Sequence, residues 1–408
     1  VSGKSKKNIV LWAVVIVLVV GGLVLIGTSS TSAKLEIPEG ATKADVIAFE
    51  NYYKDKMPMK YQIWKDSPHG QNGVSCASCH GTEILQDEDL VYGNFQKVPM
   101  ETCGACHEEQ LEGYSQTRHV VATNYSQGNA RYKLLDAWPA MKTQGCDACH
   151  TKIDNNCTCC HNAHNSTVPK SEKLATKGQQ VTGSLVNGCE NCHMGPDHPQ
   201  REAYESSVHH QVAMVTGEPT CITCHTDPSN NHLIIQLKDE YEEAGRQMLW
   251  DNCLKCHSQE FVNDSRDNVE QVKKETLRIV NAARKIIQDL YRDGILEPTY
   301  GSLLNQEGIP LLNAKTLGYS HVSQIESVMF ELFKYAEATT IKGAQHFAPD
   351  YAHWHGAASL WQYYQDIENE ANRLRLEHAL KEATGVSVDP LPKYKYERET
   401  GRELDSLK

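Results

Sequence analysis

The sequence predicts a mainly α protein whose middle half is built around something other than its own side chains, with a helical bundle after it and one membrane-spanning helix before it. Three observations predict this. A five-residue motif, Cys-x-x-Cys-His, recurs seven times and takes up all but one of the 15 cysteines. Only 40% of the 408 residues are apolar and just 6 are Phe, which is thin for a side-chain core at this length. After the last motif, cysteine stops and helical periodicity begins. Charge narrows the partners. Asp and Glu (52) outnumber Lys and Arg (40) with no basic tract, so the chain cannot neutralise phosphates and a nucleic-acid partner is excluded.

Ile9 to Gly27 is a run of 19 uncharged, mostly apolar residues, close to the ~20 that span a bilayer. Lys4, Lys6 and Lys7 precede it, which places the N-terminus in the cytoplasm. The rest would face the periplasm or cell exterior, held at the inner membrane by a single pass. A cleaved signal peptide is the competing reading, but its apolar region is usually ~7–15 residues and Thr31-Ser32-Ala33 is a weak cleavage site. Residues 1–33 are therefore expected to be an anchor, and 34–60 a linker or arm.

The motifs consist of Cys76, Cys79 and His80; Cys103, Cys106 and His107; Cys146, Cys149 and His150; Cys157, Cys160 and His161; Cys189, Cys192 and His193; Cys221, Cys224 and His225; and Cys253, Cys256 and His257. Two cysteines one helical turn apart can add to both vinyl groups of a haem, and the adjacent histidine then binds its iron. Zinc sites, redox CxxC pairs and disulfide frameworks do not require a histidine directly after the second cysteine. Seven such histidines exclude coincidence, so seven covalent haem c groups are expected. The motifs occupy residues 76–257, about 26 residues per haem, so the macrocycles must themselves be the core and lie nearly edge to edge. Cys159, the odd cysteine, reads as a small filler residue.

Twelve further histidines remain. A haem that only carries electrons takes a second histidine, whereas a catalytic one keeps a position open. Since twelve exceeds seven, the count alone does not reveal an open site.

The pattern resembles the octahaem hydroxylamine oxidoreductase family over about residues 60–385. The resemblance rests on Gly145 to His150 with Cys157 to His164; on Cys192-His193-Met194-Gly195-Pro196-Asp197-His198-Pro199-Gln200, leading through Tyr204 and Ser206 to His209; on Trp64 to His69; and on Asn231-His232. It implies that His69, His119, His164, His209, His232 and His346 are six distal ligands and that the Cys146 haem is the open, catalytic one, with His150 behind the iron. It also implies that Asp197 and His198 stand over that iron and pass protons. Three departures accompany it. The family's first haem is missing, and a distal position near Thr340 lacks histidine. The tyrosine that crosslinks catalytic haems in oxidative, trimeric members aligns with His353 or Trp354, beside Tyr351. A further active-site tyrosine is replaced near Ser265. Members without the crosslink run reductively, from nitrite or hydroxylamine toward ammonia.

Beyond the motifs, Val269, Val272, Leu277, Val280, Ala283, Ile287 and Leu290 form the face of a long helix bounded by Gly294. Helices are also expected near 322–341 and 358–384, separated by a Gly343–Gly356 loop, either as a structural bundle or as a trimer interface. The expected organisation is a heptahaem cytochrome c domain over 61–262, a C-terminal helical domain over 263–388 and a polar tail over 389–408. The functional expectation is a multi-electron oxidoreductase for small nitrogen compounds, working reductively in a homotrimer. A redox partner cytochrome or a quinone-linked membrane complex would feed it. The rival is a membrane-tethered electron carrier without catalysis, its Cys146 haem closed by a residue such as His353 or His355.

Overall fold

The computed structural model describes residues 39–82, 98–129, 132–133, 135–161, 164, 189–230, 232–235, 242–298, 304–313 and 323–386. The chain divides into two compact units, one of residues 1–95 with 164–166 and the other of 96–163 with 167–408. The expected membrane span at 9–27 and the tail from 389 lie outside the described residues. Among those described, no helix is long and apolar enough to cross a membrane.

In the first unit, α1 (Lys43–Lys56) opens on a capping box in which Thr42 and Asp45 satisfy each other's backbone N–H groups. α2 (Pro58–Lys65) follows at once, with proline at its first position, where no N–H is needed. Val46, Phe49 and Tyr53 form one buried face of α1 and pack against Ala77 of α3 (Cys76–His80). Residues 43–60 are thus helical and carry a core, where a linker or arm was expected. The three apolar positions were too few, among Tyr and Lys, to stand out as a period. Ser75 caps α3 by accepting from Ser78 N at 3.1 Å, so the first motif starts on a fixed helical turn.

The motif-bearing part of the second unit is made of short helices. They include α4 (Glu108–Ser115), α5 (Cys146–Ile153), α6 (Gln200–Glu205), α7 (Val208–Thr216), α8 (Cys221–His225) and α9 (Glu242–Cys253). Among the described residues between 98 and 257 the buried apolar side chains are Ala122, Tyr132, Ala203, Tyr204, Ala213 and Ile235. Specific hydrogen bonds join these helices instead. Tyr114 donates to Ile153 O at 2.5 Å, Tyr204 to Pro219 O at 2.7 Å, and buried Asn252 to Cys224 O at 3.0 Å.

The C-terminal part contrasts with this. α10 (Gln259–Arg292) is capped by Ser258 and ends before Gly294, whose φ of +71° suits glycine. Its buried stripe, including Ile279, Val280, Ala283, Ile287 and Leu290, meets Ile325, Met329 and Phe330 of α11 (Gln324–Glu331). A π-turn (Leu332–Ala336) links α11 to α12 (Glu337–Gln345). A second π-turn (Tyr351–Ala357) leads into α13 (Ala358–Thr384), which adds Leu360, Ile367 and Ala371 to the same core. The Gly343–Gly356 segment is therefore mostly helical, not the expected loop. Its glycines serve close approach: a Cβ on Gly343 would lie 2.7 Å from Ala352 Cα, and one on Gly356 2.6 Å from Thr340 Cα. The described residues contain no strand, only isolated bridges at Thr226–Ile234 and Leu304–Pro310.

Candidate haem centres

The histidines form pairs. His80 and His164 stack with ring centroids 6.2 Å apart, and His161 and His232 stack at 5.9 Å. His193 and His119 lie at 6.1 Å, His257 and His209 at 6.0 Å, and His225 and His346 at 6.2 Å. Each pair joins one motif histidine to one expected distal ligand. Two imidazoles bonded at about 2 Å to opposite sides of one metal place their centroids about 6 Å apart. The five pairs therefore fit bis-histidine iron. Burial lowers the imidazole pKa of both members of four pairs, taking His80, His193 and His346 to about 4 and His225 to about 3. Neutral imidazole is the form that binds metal. His346 Nδ1 donates to Lys342 O at 2.8 Å, which leaves Nε2 as the ligating atom. His119 and His232 keep a buried Nδ1 without a hydrogen-bond partner. His69 lies in the first unit on the single turn Pro68–Gln71, and His107 precedes α4 in the second.

The cysteines do not fit the competing chemistries. None of the fifteen is in a disulfide. Among the described residues no three His, Cys, Asp or Glu side chains converge as a metal cluster. Burial pushes the Cys76 and Cys160 thiols up to about 12 and Cys224 to about 11, whereas a neighbouring cysteine lowers Cys103 to about 7 and also lowers Cys189. Motifs meet one another through their cysteines. Cys103 lies beside Cys157, Cys189 beside Cys221, and Cys192 beside both Cys149 and Cys159. Cys159 thus packs between motifs, in keeping with a filler role.

His150 differs from its counterparts. It sits on α5 and donates from Nδ1 to Ala122 O at 2.9 Å, which frees Nε2. Among the described residues no histidine ring pairs with it, which sets the Cys146 centre apart from the five paired ones. His353 packs on Trp354 at 4.5 Å and His355 on Tyr351 at 5.1 Å, both exposed to solvent.

Asp197 and His198 do come to this centre. Asp197 is near enough to Cys146 to raise its thiol pKa, and both His150 and His198 lower that of His193. Asp197 and His198 sit on a tight loop between His193 and α6. Gly195, at φ +95°, turns the chain and donates to Glu202 Oε1 at 2.8 Å, while Arg201 N donates to His193 O at 2.9 Å. His198 Nδ1 is 2.5 Å from Asp197 Oδ1, and Lys334 Nζ is 3.4 Å from Asp197 Oδ2. Burial alone would raise the Asp197 carboxyl, but His198 and Lys334 outweigh it and hold the group at about 2.

Parts of the chain match two known families, seven-times multihaem cytochrome CxxCH over residues 222–301 and cytochrome c552 over residues 53–137. A probable nitrite reductase-hydroxylamine oxidoreductase fusion protein of Kuenenia stuttgartiensis is 24% identical over 412 residues, covering 76% of this chain. The matched region spans 46% of that relative's length, less than half of it. The fold is similar to a solved reducing HAO-like protein complex of the same organism, with a TM-score of 0.62, 19% identity and coverage of 85% of this chain and 90% of that one. A hypothetical multiheme protein is similar too, at TM-score 0.59 and 14% identity, over 87% of this chain and 99% of that one. Together these likenesses support a hydroxylamine oxidoreductase-like multihaem cytochrome c family for this chain. As a multihaem cytochrome c it carries covalently bound haem c, in keeping with the paired histidines. Sequence reading of this cytochrome missed Lys334, which lies far from Asp197 in the chain and reaches it only because the first π-turn faces the Asp197 loop. No local spacing signals such a contact.

Proposed function

We propose that this cytochrome is a multi-electron oxidoreductase for a small nitrogen compound, nitrite or hydroxylamine, acting reductively at the Cys146–His150 centre. The observation that carries the reading is His150, whose ring pairs with no histidine among the described residues, beside the Asp197–His198 pair. Bound there, haem supplies a redox-active iron that exchanges electrons with its neighbours. The protein's own groups supply protons and orientation. Asp197 stays ionised and lies against His198 at Nδ1, leaving Nε2 to give or take a proton where substrate binds. Nitrogen-oxide reduction consumes protons with its electrons, so a positioned imidazole serves repeated steps.

The remaining six motifs form the electron path, making seven haems in all. The Cys103–Cys157, Cys149–Cys192 and Cys189–Cys221 contacts favour close haem edges along it. His69 serves as a further distal ligand. The N-terminal span tethers the protein at the inner membrane with its bulk in the periplasm, where a partner cytochrome or a quinone-linked complex delivers electrons. The working assembly is a homotrimer. Catalysis is favoured over a carrier role because His353 and His355, two residues that could have closed the Cys146 centre, pack on Trp354 and Tyr351. Asp197→Leu and His198→Leu are each expected to lower nitrite or hydroxylamine turnover by at least about 100-fold, the scale of a lost acid–base group. Haem content should stay unchanged. Full turnover in either variant would overturn these roles.

A further inference from the structure

Lys334 lies on the π-turn between α11 and α12. Its neighbours are held by the helical core: Leu332 and Ala336 are buried in it, and Phe333 and Tyr335 pack against it. Phe330 meets both rings, at 5.4 and 5.7 Å. The turn is thereby fixed, and Lys334 reaches from it to the loop that carries Asp197 and His198. π-turns inside helices are rare and occur often at functional sites.

The charges around Lys334 set its role. Its ammonium contacts Asp197 Oδ2 at 3.4 Å, and it acts with Arg284 on the carboxyl of buried Glu337. Without Lys334, ionised Asp197 would present an unbalanced negative charge to anything entering beside His198. The whole chain adds to this, with a formal charge of −12. An anion reaching the Cys146 centre would then meet repulsion near and far. A neutral molecule of the same size would not.

We propose that Lys334 is a specificity-determining residue that lets this centre accept an anionic substrate of the nitrite class, by compensating Asp197 and holding its free oxygen turned to His198. The inference rests on the open-centre reading above and deepens it. Lys334 acts through Asp197 and is a positioning residue.

The test compares two probes of different charge on the purified holoprotein, nitrite titrated onto the oxidised form and carbon monoxide onto the reduced form, both followed by haem absorption. Lys334→Met is expected to weaken nitrite binding about tenfold, the effect of one uncompensated charge at short range, and to leave carbon monoxide affinity within about twofold. Lys334→Arg should restore nitrite binding, and haem content in both variants should match the wild type. Equal weakening of both probes would mean a purely structural role and overturn the inference, as would unchanged nitrite affinity in Lys334→Met. If the wild type binds no carbon monoxide, the open-centre reading fails and this inference fails with it. Carbon monoxide binding with charge-blind nitrite affinity would overturn the inference alone.

Discussion

Residues 98–257 and 259–384 belong to one compact unit but are stabilised by different means. The C-terminal stretch is built from long helices around a continuous core that includes Ile287, Leu290, Leu312, Met329, Phe330 and Leu360. The motif-bearing stretch has short helices, six buried apolar side chains among its described residues (three Ala, two Tyr and one Ile), and paired histidines at the spacing of an axial ligand set. Burial of apolar surface stabilises at roughly 25 cal/mol per Å², so the C-terminal stretch can hold itself together and the motif-bearing stretch has little to do so with. The contrast fits a motif-bearing stretch in which bound haem would serve as structural core as well as redox group. The protein contributes anchors, ligands and hydrogen bonds, and the macrocycles contribute the apolar area.

The largest expected effect follows directly. Protein made without haem attachment should be cut readily by a protease across 98–257 while 259–384 survives as a fragment, identified by mass spectrometry. Uniform protection, or uniform loss, would break the contrast. Phe330→Ala sharpens the same comparison from the other side. It should cost about 3–5 kcal/mol, the usual range for a buried Phe, and lower the unfolding midpoint without changing the haem absorption at ambient temperature. A change in the haem spectrum before unfolding would mean that the two regions are not separately stabilised.

The smallest effect concerns pH. Asp197 is held at about 2, below the ~3.9 of an unfolded Asp, so its contribution is present above pH ~4 and is lost only as pH falls toward 2. Asp197→Asn should therefore reduce turnover by the same factor at pH 5 and pH 8. A deficit that fades at pH 5 would mean that the carboxyl titrates near neutrality and takes the proton itself.

The sequence made the attachment points legible because their chemistry is local: two thiols and a histidine within five residues. The long helix α10 was legible for the same reason, since its period repeats over many turns. Ligand pairing was not. His80 meets His164 and His225 meets His346 across long stretches of chain, and five of the expected distal ligands could be placed only through family resemblance. Gly343 and Gly356 read as loop breakers because glycine usually is one. Here they permit close helix packing, a property of the partner backbone. α1 was missed because three apolar positions among polar neighbours give a weak period. Lys334 looked like any surface lysine until the π-turn set it beside Asp197.

The proposed mechanism requires one open iron, at the Cys146–His150 centre. Fully reduced holoprotein should change absorption on adding carbon monoxide at about one haem in seven, the fraction set by seven motifs with a single unclosed centre. No change at all would mean that every iron is closed, and the protein would be an electron carrier.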